Sequence, residues 1–118
     1  MLYTNLKHIE NAAEQVIIIN KYREVVIICG NMGPMCILVF RVAEELETEY
    51  KDVKFYDMEF DNPESEVIRK LPDVSGFSNI PFTIWYKDGK VVNARSGIQT
   101  KAHMATIMDQ EFAVSFNA

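Results

Sequence analysis

The sequence predicts an α/β domain on a mixed, mostly parallel central sheet with helices on both faces, and three observations carry that prediction. Val25 to Cys29 is an unbroken apolar run ended by Gly30, the pattern of a strand covered on both faces, as parallel sheets require. Strand-like and helix-like segments alternate along most of the chain, which implies right-handed crossovers between parallel strands. Near the C-terminal end, two β-rich runs flank Asp88-Gly89, a turn that joins strands as an antiparallel hairpin. One antiparallel edge strand is therefore expected.

The 118 residues suit one domain and are too few for two separate cores. No repeat, low-complexity tract or Pro/Gly/Ser linker divides them, so residues 1–118 read as a single domain. The 48% hydrophobic and 25% charged residues exclude a disordered chain. A net charge of -5 without a Lys/Arg cluster removes the electrostatic footprint that nucleic acid requires. Residues 2 to 8 form neither a secretory leader nor an apolar span, so no membrane partner is expected and the cytoplasm is the expected location.

The elements follow in order. Residues 2 to 8 have the character of a short strand. Asn11, with Glu14 three positions on, resembles a capping box that opens a helix with Ala13, Val16 and Ile17 on one face. After the central strand, Gly33-Pro34 marks the start of a helix, because proline in a first turn forfeits no intrahelical bond. That helix runs to about Tyr50, with Leu38, Val42, Ala43, Leu46 and Tyr50 at helical spacing and Arg41, Glu44, Glu45, Glu47 and Glu49 toward water. Val53 to Phe60 alternates as a strand and is closed by Asp61-Asn62-Pro63. Residues 64 to 71 make a short helix, and Phe82 to Tyr86 and Val91 to Ser96 make the hairpin. Met104, Ile107, Met108 and Phe112 mark the apolar stripe of a closing helix whose first turn follows Thr100. The full order is β-α-β-α-β-α-β-β-α.

Several of these residues together resemble the thioredoxin family from about Thr4 to Phe112. Met32-Gly33-Pro34-Met35 stands where that family carries Cys-Gly-Pro-Cys, a few residues after the apolar strand. Asp61-Asn62-Pro63 resembles its turn after the third strand, Ile80-Pro81 its cis-proline loop, and Lys87-Asp88-Gly89-Lys90 its hairpin turn, with Gly97 close to its later glycine. The resemblance implies a thioredoxin-like fold, a cis Ile80-Pro81 bond, and a loop whose backbone accepts an extended peptide by strand addition.

The family's chemistry does not transfer to residues 32 and 35. Thiol-disulfide exchange needs a thiolate attacker and a resolving thiol, and a thioether has no ionisable proton and forms no reversible S–S bond. Asn31 replaces the family's tryptophan before the motif, and the buried acid of its preceding strand is apolar in Val25-Val26-Ile27-Ile28. These departures suit a binding module without redox activity. Its surface is expected to consist of Asn31, Met32, Gly33, Pro34, Met35, Ile80 and Pro81, with a protein or extended peptide as partner and no cofactor.

Two cysteines leave other readings open. Cys29 and Cys36 imply no disulfide framework in a reducing compartment, and with His8 and His103 as the only histidines they fall short of a closed zinc set. The histidines read as ordinary surface residues, and the thiols as small core side chains. Alternatively, Cys36 at the helix start and Cys29 at the strand end act as the catalytic pair of an oxidoreductase with altered geometry. Met32, Met35, Cys29 and Cys36 are also soft ligands of the type that selects Cu(I).

Overall fold

A computed structural model describes residues 1–112; the last six positions of the predicted domain, 113–118, lie outside the described residues. In chain order the elements are β1 (Lys7–Ile9), α1 (Ala12–Lys21), β2 (Glu24–Gly30), α2 (Pro34–Glu49), β3 (Lys54–Glu59), a single 3-10 turn at Pro63–Ser65, α3 (Glu66–Arg69), β4 (Phe82–Lys87), β5 (Lys90–Ser96) and α4 (Lys101–Phe112). No helix among the described residues is long and apolar enough to cross a membrane.

The five strands lie in the order β1-β3-β2-β4-β5, with β2 at the centre. β3 pairs in parallel with both β1 and β2, while β4 runs antiparallel to β2 and to β5. The reversed strand is therefore β4, inside the sheet, and not the edge strand expected from the hairpin. A two-residue connection leaves no room for a crossover, so one hairpin strand must run against the rest. Here β4 takes the place beside β2 and leaves β5 at the edge. Asp88 and Gly89 turn the hairpin with φ of 53° and 80°, the backbone that favours Asp-Gly.

β2 alternates between two cores. Val26 and Ile28 join Trp85 of β4 with Phe40, Ala43 and Leu46 of α2 and Met104, Ile107 and Met108 of α4. Val25, Ile27 and Cys29 join Ile84 and Tyr86 with Ile18 of α1, Ile68 of α3 and Val74. All five apolar residues of this strand are fully buried, which explains why it contains no polar alternation.

Local signals account for most element ends. Asn11 Oδ1 accepts from the Glu14 N–H at 2.8 Å, and Glu14 Oε1 accepts in return from the Glu10 N–H at 2.7 Å. The box thus closes one residue earlier than the usual pattern. Thr100 Oγ1 caps the first turn of α4 through the His103 N–H at 3.1 Å.

Three expectations change. The first strand covers only Lys7–Ile9, because residues before Lys7 do not pair with β3. α1 buries Gln15 and Ile18, whereas Val16 and Ile17 stand 48% and 64% exposed and Ala13 is exposed too. Three consecutive isoleucines give that helix no unique apolar stripe. Gln15 Nε2 donates to the Tyr86 hydroxyl at 3.1 Å, which satisfies the donor side of this buried amide, while its Oε1 has no partner among the described residues. On α2 the buried stripe is Cys36, Val39, Phe40, Ala43 and Leu46, so Leu38 faces out.

Candidate functional site

Three elements converge at the C-terminal end of β2: the turn Asn31–Gly33, the first turn of α2, and the loop ending in the cis Ile80–Pro81 bond. Asn31 Oδ1 accepts the Gly33 N–H at 2.7 Å, an Asx turn that steers the chain from strand to helix. Gly33 caps α2 with extended backbone, Pro34 occupies its first turn, and the Ile37 N–H closes onto Gly33 O at 3.0 Å. The turn and helix start expected from Gly33-Pro34 are present.

Gly30 makes the convergence possible. A Cβ on Gly30 would fall 2.9 Å from Cys36 Sγ and 3.1 Å from Pro81 Cβ, distances that side-chain carbons do not tolerate without a shift. Only the absence of a side chain lets the helix thiol and the proline close on the end of β2.

The loop is tied down on one side. The Gly97 N–H donates to Pro81 O at 2.9 Å, which brings the segment carrying Ile98 beside the proline. Ile80 packs against both core clusters at the end of the sheet. Among the described residues, its backbone N–H and C=O have no hydrogen-bond partner within the chain.

The sulfur atoms divide sharply. Met35 is 43% exposed on the first turn of α2. Met32 is half-buried against the α2/α4 core, and its Sδ accepts the Tyr3 N–H at 3.3 Å. Cys36 is buried in that same core and Cys29 in the other, across the sheet. The structure therefore does not bring Cys29 and Cys36 together as the catalytic pair that the altered-geometry alternative needs, because β2 stands between them. Strand alternation is the physical reason: an odd-numbered residue of β2 points toward α1 and α3, away from α2. Nor do the four sulfurs of the Cu(I) reading converge, since they are spread over both faces.

Burial favours the protonated form of both thiols. Burial pushes Cys29 up to about 12, with the Arg69 charge and a Ser65 hydroxyl bond opposing it. Burial also raises Cys36 above its ordinary value, opposed by a hydrogen bond from the Asn31 backbone. The positive end of a helix lowers the pKa of a thiol exposed to it, but the exposed sulfur in the first turn of α2 is the Met35 thioether.

Sequence reasoning missed a second polar constellation at this end of the sheet. Asp57 of β3 pairs across the sheet with Ile28 and His8, and its side chain is wholly inaccessible. Its Oδ1 lies 2.6 Å from His8 Nδ1, and its Oδ2 accepts from the Thr4 hydroxyl. His8 is exposed, as expected of a surface histidine, but its ring is tied to this buried acid. Burial raises the Asp57 carboxyl above the usual range, and the Thr4 and His8 bonds oppose that rise. A cleft of about 400 Å³ opens here, its lining including His8, Glu10, Asp57, Glu59 and Asp61. An acid inside the apolar run Phe55-Tyr56-Asp57-Met58 was the available signal, but its partner depended on the register of β1.

No protein-family model matches the chain, and no curated protein matches its sequence. Solved structures do match its fold. The oxidised thioredoxin of Plasmodium falciparum is similar at 20% identity and a TM-score of 0.73, over 90% of this chain and 97% of that one. Mitochondrial thioredoxin 3 of Saccharomyces cerevisiae, in its oxidised form, gives 21% identity and 0.73 over 88% and 94%. Thioredoxin O2 of Arabidopsis thaliana, in its oxidised state, gives 21% and 0.72 over 94% and 97%. The chain has a thioredoxin-like fold.

Proposed function

We propose that this chain is a binding module of thioredoxin-like fold, without dithiol chemistry, that takes a protein or extended peptide at the Ile80–Pro81 loop beside residues 31–35. The observation that carries the reading is the division of sulfur: both thiols lie buried on opposite faces of the sheet, and the turn open to solvent holds only thioethers. Without an accessible thiolate there is no nucleophile for exchange.

The case for binding rests on what this end of the sheet leaves unused. Among the described residues the Ile80 backbone N–H and C=O pair with no group of the chain, and these are the groups that strand addition employs. Met35, Leu38 and Ile98 expose 43%, 54% and 51% of their surface on the elements around that loop. Methionine in particular forms adaptable apolar contacts. Asn31, Met32, Gly33, Pro34 and Pro81 complete the proposed surface, and a cytoplasmic location fits two unpaired thiols.

Two assays test this. Reduction of insulin disulfides by the wild-type chain should not exceed the uncatalysed rate, and Cys36→Ser and Cys29→Ser should leave it unchanged. Amide NMR shifts on titration with a library of extended apolar peptides should cluster at Asn31–Cys36, Ile80–Phe82 and Gly97–Ile98. Insulin reduction that disappears in either serine variant overturns the reading, as does peptide binding whose shifts lie elsewhere.

A further inference from the structure

The same turn that has no accessible thiol presents an accessible thioether, and that difference sets which oxidant chemistry it undergoes. The chain contains six methionines. Met58, Met104 and Met108 are completely buried, Met1 lies at the chain end with 82% exposure, and Met35 is 43% exposed. Met32 is half-buried with its Sδ already accepting the Tyr3 N–H at 3.3 Å, so one of its lone pairs is occupied. The two thiols lie beneath the surface, at 0% and 1% exposure.

We propose that Met35 is a modification site: hydroperoxides convert it to the sulfoxide in preference to either cysteine, and this turns off docking at the adjoining loop. In the step, a Met35 Sδ lone pair attacks the terminal peroxide oxygen. An S–O bond forms as the O–O bond breaks, sulfur is oxidised by two electrons, and the peroxide leaves as water or an alcohol once its proton passes to the departing oxygen. The flexible apolar side chain becomes a polar one at the edge of the surface made by Leu38, Ile80 and Ile98. The loss of docking rests on the function proposed above; the oxidation does not.

The test treats the full chain with hydrogen peroxide and maps oxygen uptake by peptide mass spectrometry. Met35 should oxidise roughly tenfold or more faster than Met58, Met104 and Met108, whose access requires opening of the core. Met32 should fall between, and the free-thiol content should stay constant. Met35 oxidising no faster than the three buried methionines, or loss of thiol ahead of it, overturns the site assignment. For a peptide shown to bind the untreated chain, peroxide should weaken affinity roughly tenfold, the cost of placing a polar group in an apolar contact. In Met35→Leu the ratio of affinities before and after peroxide should stay near one, whatever the starting affinity. An equal loss in that variant overturns the switch. Failure of the untreated chain to bind any peptide overturns the docking reading alone, because the order of oxidation is measured without a ligand.

Discussion

Cys29 and Cys36 bracket the same turn that displays Met32 and Met35, yet both thiols are buried while Met35 is 43% exposed and Met32 half-buried. The thiols point into two cores separated by the sheet, and the thioethers occupy the turn and the first helical turn. The contrast teaches that motif spacing alone does not make a redox pair. Side-chain direction along β2 decides which sulfurs can meet, and an alternation of period two sends Cys29 away from the helix that carries Cys36.

Thiol reactivity should differ most between folded and unfolded chain. Native protein should label Cys29 and Cys36 with an aromatic disulfide reagent at least roughly a hundredfold more slowly than urea-unfolded protein, since access requires the core to open. Rapid labelling of either thiol would break the contrast. Next comes Gly30→Ala, where the new methyl would crowd Cys36 Sγ and Pro81 Cβ. A loss of about 1–3 kcal/mol is expected in urea unfolding. In a Cys36→Ala background that loss should shrink, because the nearest of the crowded atoms, Cys36 Sγ, is gone; additivity would show that the contact is not the cause.

The double variant Met32→Leu, Met35→Leu should cost less than about 1.5 kcal/mol, as volume-conserving changes do. A larger loss, read from the same unfolding curves, would give the Met32 to Tyr3 contact a structural weight comparable to that of the buried thiols.

The smallest effect concerns Asp57, a buried titratable group that, unlike the cysteines, is held by two side-chain partners. Burial raises its pKa above 3.8, so the folded chain binds that proton more tightly than the unfolded chain. Its contribution is present in full below 3.8 and is lost as pH rises through the raised value. Stability should therefore fall across that window, and Asp57→Asn should flatten part of the slope in urea midpoints measured against pH. Burial also raises Glu24 and Glu47, so their contributions run in the same direction.

Local signals made much of this legible in the sequence. The apolar run at 25–29, the proline of a first helical turn, the Asp-Gly hairpin and the stripe of α4 each depend on neighbours a few residues away, and each stands where expected. The candidate turn and loop also come together, with Ile80–Pro81 in the cis form. What could not be read depends on distant partners. The exposed face of α1 follows from Gln15 reaching Tyr86, and the His8–Asp57 bond follows from the register of β1 on β3. The internal place of β4 follows from which hairpin strand docks on β2. Cys29 and Cys36 lie within three residues of the motif in sequence, but only the packed sheet puts them on different sides.

Incubating the native chain with oxidised glutathione and mapping its cysteines by mass spectrometry shows whether the two thiols can meet. Both thiols should be recovered free, with neither linked to the other. A Cys29–Cys36 disulfide that forms and is reduced again while the chain stays folded would return this turn to thiol chemistry and rule out a module that only binds.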